Sequence, residues 1–282
     1  MAEAFVVDVP GWRKLQWLRH GFSVRRGGVS TVYGGRSLNV GWTKEDDPAN
    51  IAENRRLLVE AAGGPAMKLV TIRQVHGNRI WPVSGEDARA GRLETHDGKA
   101  VLEGDGLVTD APGVLLAAGT ADCVPVLLVD PVRRAVGAFH AGWRGTAARI
   151  VEQGVAAMRK EYGSRPEDLL AAVGPSIGAC CYTVGEEVRE KFSTEFSYGE
   201  ELLSKVLGED GSAQLRIDLW EANRRQLLVA GVAPNAISLI GECTGCKLEE
   251  DGGRRYFSHR MEEGRTGRML NVIGISAEGA GV

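Results

Sequence analysis

The sequence predicts an α+β fold in which helices pack on a mixed β-sheet, and two observations lead to this prediction. Apolar segments of strand length are joined in one place by a short polar turn, at residues 130–134, and elsewhere by amphipathic helices. Since strands and helices do not alternate regularly, a doubly wound βαβ series is not indicated. The 282 residues, 43% of them hydrophobic, are enough for one large domain or two small ones.

The first helix is predicted to begin at residue 48. Asp47 is a good N-cap, and Pro48 suits the first helical position because its fixed φ is already helical. Apolar side chains recur at helical spacing over residues 51–62, and Gly63-Gly64 ends the segment.

A long strand is predicted next. Residues 69–83 alternate in polarity, which places Ile72, Gln74 and His76 on one face. Residues 86–104 are polar and contain glycine, so they are interpreted as a surface excursion. Further strands are predicted at residues 114–118, 124–129 and 135–140, the last two joined by the turn at 130–134.

The second half of the chain continues this mixture. Residues 142–145 are interpreted as a loop, after which Thr146 is expected to cap a helix with a buried apolar stripe over residues 150–162. Asp218 is expected to cap a later helix that Gly231 ends. The remaining predicted elements are strands at residues 169–173 and 236–240 and helices at residues 186–196 and 219–230.

Bulk charge excludes some classes of function. The formal net charge is −3, so no broad cationic surface is implied and binding to nucleic acid is not favoured. Residues 1–17 lack the apolar core of a signal peptide, and no stretch approaches the ~18 apolar residues of a membrane helix. We therefore expect a soluble cytoplasmic protein without membrane contact. The sequence leaves its oligomeric state open between a monomer and a small homo-oligomer.

The five cysteines are interpreted as reduced thiols. Their number is odd and Cys180 and Cys181 are adjacent, which is a poor framework for disulfides. Cys243-Thr244-Gly245-Cys246 has the spacing of half a zinc ribbon or a redox pair. Because no second CxxC occurs, we interpret these two cysteines as unpaired thiols near the end of a strand.

The hairpin predicts where one cysteine and one histidine meet. If the turn centres between Val132 and Arg133, the numbers of paired residues sum to about 265, and those of Cys123 and His140 sum to 263. These side chains should therefore lie nearly opposite each other, ~5 Å apart at Cβ. That separation suits a thiolate and an imidazole that bind one ion at ~2.0–2.3 Å.

His76 is expected to join Cys123 and His140 from the earlier strand. Three protein ligands leave a tetrahedral zinc one open position, as in catalytic zinc sites. Copper also accepts a Cys/His/His set. Asp122 precedes the cysteine and is a candidate base or orienting group, and Arg144, at an expected helix start, is the first candidate for binding phosphate.

Several motifs occur in an order that resembles the YfiH family, also called laccase-domain or multicopper polyphenol oxidase proteins. The resemblance covers residues 22–275, so we expect a single domain over residues 1–282. Its motifs are Gly27-Gly28-Val29-Ser30, Ser37-Leu38-Asn39-Val40-Gly41, Glu53-Asn54-Arg55-Arg56, Gln74-Val75-His76-Gly77, Ala121-Asp122-Cys123-Val124-Pro125, His140-Ala141-Gly142-Trp143-Arg144-Gly145, Gly174-Pro175-Ser176-Ile177-Gly178 and Thr266-Gly267-Arg268.

The resemblance implies a layered α/β/β/α sandwich and a zinc-dependent purine nucleoside enzyme. Such an enzyme phosphorolyses adenosine, inosine and methylthioadenosine to base and ribose 1-phosphate, and it deaminates adenosine. The implied zinc ligands are His76, Cys123 and His140. Polar residues at or near motif positions complete the candidate site: Asn39 and Gln74 in the pocket wall, and Arg56 and Arg260 as either surface charges or phosphate-binding groups.

Two other classes of function stay open at this point. Relatives named peptidoglycan editing factors suggest a metal-free hydrolase, with Cys123 as nucleophile and His140 as base. A copper-dependent oxidase of phenols is the older family label. Five histidines in the whole chain are too few for the several copper centres of a laccase. Of the three outside the candidate ligand set, His20 and His259 are expected to be structural or pocket-lining groups, and His96 is expected to be solvated.

Overall fold

Two β-sheets stack face to face in this protein, whose computed structural model describes residues 5–208 and 211–277. Six α-helices accompany the sheets within these residues: α1 Pro48–Ala61, α2 Gly85–Arg89, α3 Trp143–Ala147, α4 Ile150–Tyr162, α5 Glu186–Glu195 and α6 Leu219–Val229. The strands are β1 Val6–Val7, β2 Leu18–Ser23, β3 Arg26–Ser30, β4 Lys68–Val70, β5 Ile80–Pro82, β6 Gly106–Thr109, β7 Val114–Thr120, β8 Val124–Asp130, β9 Ala135–Ala141, β10 Leu170–Val173, β11 Thr183–Val184, β12 Leu203–Leu207, β13 Ala213–Ile217, β14 Ile237–Leu239 and β15 Met269–Ile275.

Both large sheets are mixed, as the sequence predicted. The first has the strand order β1-β2-β15-β7-β4, and its one parallel pair is β4 with β7. The second has the order β14-β10-β8-β9-β6-β5, with parallel pairs at both ends and an antiparallel centre. A small antiparallel sheet, β11-β13-β12, lies apart from these two in the pairing.

The core lies between and outside the two sheets. Leu116 and Ile273 of the first sheet pack against Leu127 and Val136 of the second. Helix α1 covers the outer face of the first sheet, where Leu58 is fully buried. Helices α4 and α6 cover the outer face of the second sheet. The layered α/β/β/α sandwich is therefore confirmed.

The predicted helix caps account for two helix boundaries. The Asp47 carboxylate accepts a hydrogen bond from the Ala49 amide at 2.8 Å and starts α1. The Asp218 carboxylate accepts one from the Glu221 amide at 3.0 Å and starts α6. Beyond α6, Gly231 has φ 97°, a conformation that glycine adopts without strain.

The predicted cap at Thr146 is wrong. Helix α3 begins directly after Gly142, whose extended backbone takes the N-cap position, so the amide of Thr146 already donates to the Gly142 carbonyl at 2.8 Å. Arg149, with φ 60°, then separates α3 from α4. The predicted apolar stripe of α4 is buried at Ile150 and Met158.

None of the helices in the described residues combines the length and the apolar character that a membrane span requires.

Candidate metal centre

Three side chains from separate parts of the chain converge at one end of the second sheet. One ligand atom each of His76, Cys123 and His140 lies within 4.8 Å of the others. The two imidazole rings meet edge to face, with their centroids 4.9 Å apart. His140 is buried, Cys123 is half-buried and His76 is exposed, so the cluster opens toward solvent on the His76 side.

The hairpin of β8 and β9 places two of these side chains. Val124 pairs with Ala141 and Pro125 pairs with His140, so the paired numbers sum to 265, as predicted. Cys123 precedes β8 by one residue and lies diagonally across the hairpin from His140, on the same face. A Cβ atom at Gly142 would lie 3.0 Å from the Cys123 sulfur, so a larger residue there would press into the cluster.

His76 does not lie on a strand, and the predicted strand over residues 69–83 is wrong in its middle. Strand β4 ends at Val70 and β5 begins at Ile80, and His76 between them has φ 60°. The reason is that the backbone here bonds to a side chain instead of a neighbouring strand. The Asp105 carboxylate accepts the amides of residues 75, 76 and 77 at 3.3, 2.9 and 2.7 Å.

The side chain of Gln74 makes the hydrogen bonds to β7 that a neighbouring strand would otherwise make through its backbone. Its amide nitrogen donates to the Gly119 carbonyl at 2.8 Å, and its amide oxygen accepts from the Gly119 amide at 2.7 Å. This pair of bonds ties the segment that precedes His76 to β7. Gln74 also lines the cavity described below.

Asp105 is the site residue that sequence reasoning missed. Besides the three amides, its Oδ1 atom lies 2.8 Å from Nδ1 of His140, and its side chain is 0% exposed. A carboxylate behind a ligating histidine fixes the tautomer and orientation of the ring and increases its basicity. The available signal was the motif Gly104-Asp105-Gly106, which lies where a polar segment becomes the buried strand β6.

The charges in the cluster stabilise one another. Burial alone would raise the pKa of Cys123, but His140 and His76 hold it down to about 6. Burial alone would lower the pKa of His140, but Cys123 and Asp105 raise it to about 9. Burial likewise opposes ionisation of Asp105, yet hydrogen bonds from His140 and the amides of Gly77 and His76 keep its pKa below the ordinary value. Near neutral pH these shifts favour a thiolate at Cys123 paired with an imidazolium at His140.

The cluster opens into a cavity of about 680 Å³. Among residues 5–208 and 211–277, no acidic side chain lines this cavity. The lining includes four cationic side chains and one further imidazole, which are Arg55, Arg73, Lys99, Arg268 and His259. Arg73 pairs with Glu103 and Lys99 pairs with Asp97. The positive character that suits an anion therefore comes from Arg55 and Arg268.

Two predicted pocket residues lie outside the cavity lining. Asn39 is fully buried, and its side chain donates to Asp46 at 2.7 Å and accepts from the Arg268 amide at 2.9 Å. Arg56 is on the exposed face of α1, where its guanidinium pairs with Glu53 and Glu60. Asn39 therefore positions the backbone of Arg268, whereas the guanidinium of Arg56 is ion-paired at the surface.

Arg144 and Arg260 also lie outside the cavity lining. The guanidinium of Arg144 stacks over Trp143, with 4.3 Å between its central carbon and the ring centroid. Arg260 stacks over Tyr182 and donates to the Thr183 carbonyl at 2.7 Å. In this structure both guanidinium groups rest on aromatic rings.

Asp122 faces backbone and hydroxyl donors. Its Oδ1 atom accepts from Thr244 Oγ1 at 2.6 Å, and its Oδ2 atom accepts from the Arg260 amide at 2.7 Å. The residue is 8% exposed and has φ 92°. Such a conformation is rare for a residue with a Cβ, so these bonds hold a strained turn immediately before Cys123.

The sequence is similar to known proteins over most of its length. Residues 19–276 match the family model described as multi-copper polyphenol oxidoreductase laccase. The chain is 40% identical over 271 residues to a protein named purine nucleoside phosphorylase YlmD from Geobacillus stearothermophilus, covering 93% of this chain and 95% of the relative. It is 34% identical over 253 residues to a protein named adenosine deaminase RL5 from an unknown prokaryotic organism, covering 89% and 92%.

A solved structure is similar over the same length. The crystal structure of the Bacillus licheniformis hypothetical protein YfiH superposes with a TM-score of 0.83 at 33% identity, covering 98% of this chain and 97% of that one.

Proposed function

This chain belongs to the multi-copper polyphenol oxidoreductase laccase family, and on that premise we propose that it is a metal-dependent purine nucleoside enzyme. The proposed reactions are phosphorolysis of adenosine, inosine or methylthioadenosine to base and ribose 1-phosphate, and deamination of adenosine. The observation that carries the proposal is a three-ligand cluster that opens into a cationic cavity. The relatives named as a phosphorylase and as a deaminase support it.

The donor set fits one zinc ion held by His76, Cys123 and His140. A thiolate and two imidazoles are common zinc ligands, and three of them leave a position for water or substrate. The Asp105 carboxylate behind His140 is the outer partner that such sites use. When bound, zinc would supply Lewis-acid catalysis by polarising an oxygen of the substrate or of water.

In the proposed phosphorolysis, the cationic lining binds phosphate against the sugar. A phosphate oxygen forms the new bond to the anomeric carbon, the carbon–nitrogen bond breaks, and the purine leaves with the bonding electrons and takes up a proton. Arg268 is our candidate phosphate-binding residue because it lines the cavity. His259 lines the same cavity, and its imidazole is our candidate donor of that proton.

In the proposed deamination, water replaces the amino group of adenosine in the same cavity, and ammonia leaves. We propose that Asp122 acts as a positioning residue in both reactions. Its two oxygens already accept hydrogen bonds from Thr244 and Arg260, so they are engaged away from a substrate. Gln74, which lines the cavity and is fixed by Gly119, is our candidate for orienting the nucleoside.

A metal-free hydrolase is the second candidate, and one observation favours it. In space, Cys123 contacts His140 and His140 contacts Asp105, which is the arrangement of nucleophile, base and orienting group that activates a thiol for attack on an amide. A multicopper oxidase is not proposed because, within the described residues, the one other cluster able to hold a metal consists of cysteines alone. The histidine ligands of a trinuclear copper centre are not brought together there.

The test combines metal analysis with product analysis. The purified protein is assayed for bound metals, and adenosine and inosine are incubated with it, with and without phosphate, before chromatography. We expect Cys123→Ala and His76→Ala to lose at least about a hundredfold in kcat/KM, because Lewis-acid catalysis contributes several kcal/mol. His96→Ala is the matched control, since His96 is exposed.

Three results would separate the candidates. Ribose 1-phosphate formation that requires both phosphate and metal supports the nucleoside enzyme. Full activity after complete chelation would overturn the metal-dependent form. Cleavage of an amide substrate by metal-free protein that is inert to nucleosides would support the hydrolase instead.

A further inference from the structure

A second cluster of sulfur atoms lies outside the candidate metal centre. The sulfur atoms of Cys180, Cys181, Cys243 and Cys246 all lie within 4.8 Å of one another. The interpretation of Cys243 and Cys246 as unpaired thiols rested on the lack of a second CxxC motif. The structure supplies the missing half as an adjacent pair of cysteines from another segment.

Two segments that run side by side bring these cysteines together. The amide of Ser176 donates to the Glu242 carbonyl at 3.3 Å, and the amide of Thr244 donates to the Ser176 carbonyl at 3.0 Å. The turn that follows is closed by the amides of Cys181 and Tyr182, which both donate to the Gly178 carbonyl at 2.9 Å. These backbone hydrogen bonds hold together the two segments that carry the cysteines.

The space around the sulfurs is also adapted to them. A Cβ atom at Gly245 would lie 3.0 Å from Cβ of Cys181 and 3.3 Å from its sulfur, so the glycine allows the two segments to approach. The Gly178 amide donates to the Cys243 sulfur at 3.2 Å. An amide directed at sulfur favours a thiolate, which is the form that binds metal.

We propose that these four cysteines form a structural zinc site with four thiolate ligands. Zinc–sulfur bonds of about 2.3 Å in a tetrahedron place the sulfurs about 3.8 Å apart, and the sulfurs of Cys180 and Cys246 lie 3.6 Å apart. Binding of Zn²⁺ releases the protons that the four sulfurs still carry. A single disulfide would use two of the sulfurs and would leave the convergence of the other two unexplained.

The proposed site braces the loop that carries Cys123. Thr244, between two of the cysteines, donates to Oδ1 of Asp122 at 2.6 Å. Ile177, in the segment that leads to the other two, donates its amide to the Asp122 carbonyl at 2.9 Å. A zinc ion that joins these segments would therefore hold the strained turn at Asp122, directly before Cys123.

The experiment measures zinc in the full-length protein purified under reducing conditions. Native mass spectrometry of the unmodified chain is expected to show two zinc ions, one of them retained in Cys123→Ala. Cys246→Ser is expected to lose the other ion, and the double variant Cys123→Ala/Cys246→Ser to lose both. Replacement by Co²⁺ should give the intense thiolate-to-cobalt absorption of a tetrathiolate site, and it should persist in Cys123→Ala.

This readout does not depend on nucleoside activity, so it can succeed or fail independently of the proposed function. The proposal is overturned if the unmodified chain binds no more zinc than Cys246→Ser does. It is also overturned if the mass of the unmodified chain is lower than that of the fully reduced chain by two hydrogens per disulfide, and reductant restores it. An iron–sulfur chromophore in the purified protein would overturn it as well. The Co²⁺ spectra of the unmodified chain and of Cys123→Ala do not depend on how Cys246→Ser folds, so absence of the tetrathiolate absorption from both would also overturn the proposal.

Discussion

Nδ1 of His140 lies 2.8 Å from Oδ1 of Asp105, and the same oxygen accepts the backbone amide of His76 at 2.9 Å. One buried carboxylate therefore orients two of the three candidate ligands, one through its ring and the other through its backbone. This arrangement explains why His76 can adopt φ 60° in an irregular segment and still meet a residue of the central hairpin.

Replacing Asp105 is expected to weaken metal binding. In Asp105→Asn, one oxygen becomes a donor that faces amide and imidazole N–H groups. Loss of such an outer partner typically costs 10–100-fold in metal affinity or activity. Competition with a chromogenic chelator measures the affinity. Asp97→Asn, at an exposed loop residue, is the control, and equal affinities in both variants would contradict the assigned role of Asp105.

Removal of the Arg268 guanidinium is expected to raise the KM for phosphate. Arg268→Ala loses a hydrogen bond to a charged group, about 1.5–3 kcal/mol, so KM should rise ~10–100-fold while kcat changes little. Arg268→Lys should recover part of the loss because it keeps the charge. Initial rates at varied phosphate test this. The matched control is Arg56→Ala, since Arg56 is ion-paired at the surface. If this control raised the KM for phosphate as much as Arg268→Ala does, specific phosphate binding by Arg268 would be refuted.

Asp122 is expected to affect stability more than proton transfer. Asp122→Asn places an amide donor against Arg260 or Thr244, and leaving a buried partner unsatisfied costs about 1–3 kcal/mol in the free energy of unfolding. The pH profile of kcat in metal-saturated enzyme should keep its shape. Thr244→Val removes one of the same bonds and should produce a smaller loss of stability. Disappearance of one limb of the pH profile in Asp122→Asn would instead identify Asp122 as a proton carrier.

Acid is expected to destabilise the first sheet through His20. Burial holds the pKa of this imidazole below 6.5. The Asp8 charge favours protonation of the ring, and the Arg13 charge opposes it. Its Nε2 atom accepts the Val9 amide at 3.2 Å, which requires the neutral ring. As pH falls through 6.5 the unfolded chain binds a proton that the folded chain does not, so the free energy of unfolding decreases.

Urea unfolding on either side of this pH tests the role of His20. His20→Gln retains an acceptor for the Val9 amide but does not titrate, so its stability should decrease less between about pH 7.5 and pH 5.5. Parallel pH dependences of the two proteins would assign the loss of stability to other groups.

Much of the local structure could be predicted from sequence because its causes are local. The caps at Asp47 and Asp218 and the register of the β8–β9 hairpin depend on residues within a few positions of one another. The elements that were not predicted depend on distant partners. Strand β15 pairs with β2 and β7, more than a hundred residues away, and the hairpin of β12 and β13 is only half-buried, with weak apolar alternation.

The candidate site divides in the same way. The sequence by itself determined that Cys123 and His140 would meet across one hairpin, because a short turn fixes the register and therefore which side chains share a face. Only the tertiary structure decided how His76 joins them, since its segment is shaped by the carboxylate of Asp105, which follows it by 29 residues. It also decided that four separate thiols converge, because two non-adjacent segments must pair before their sulfurs can meet.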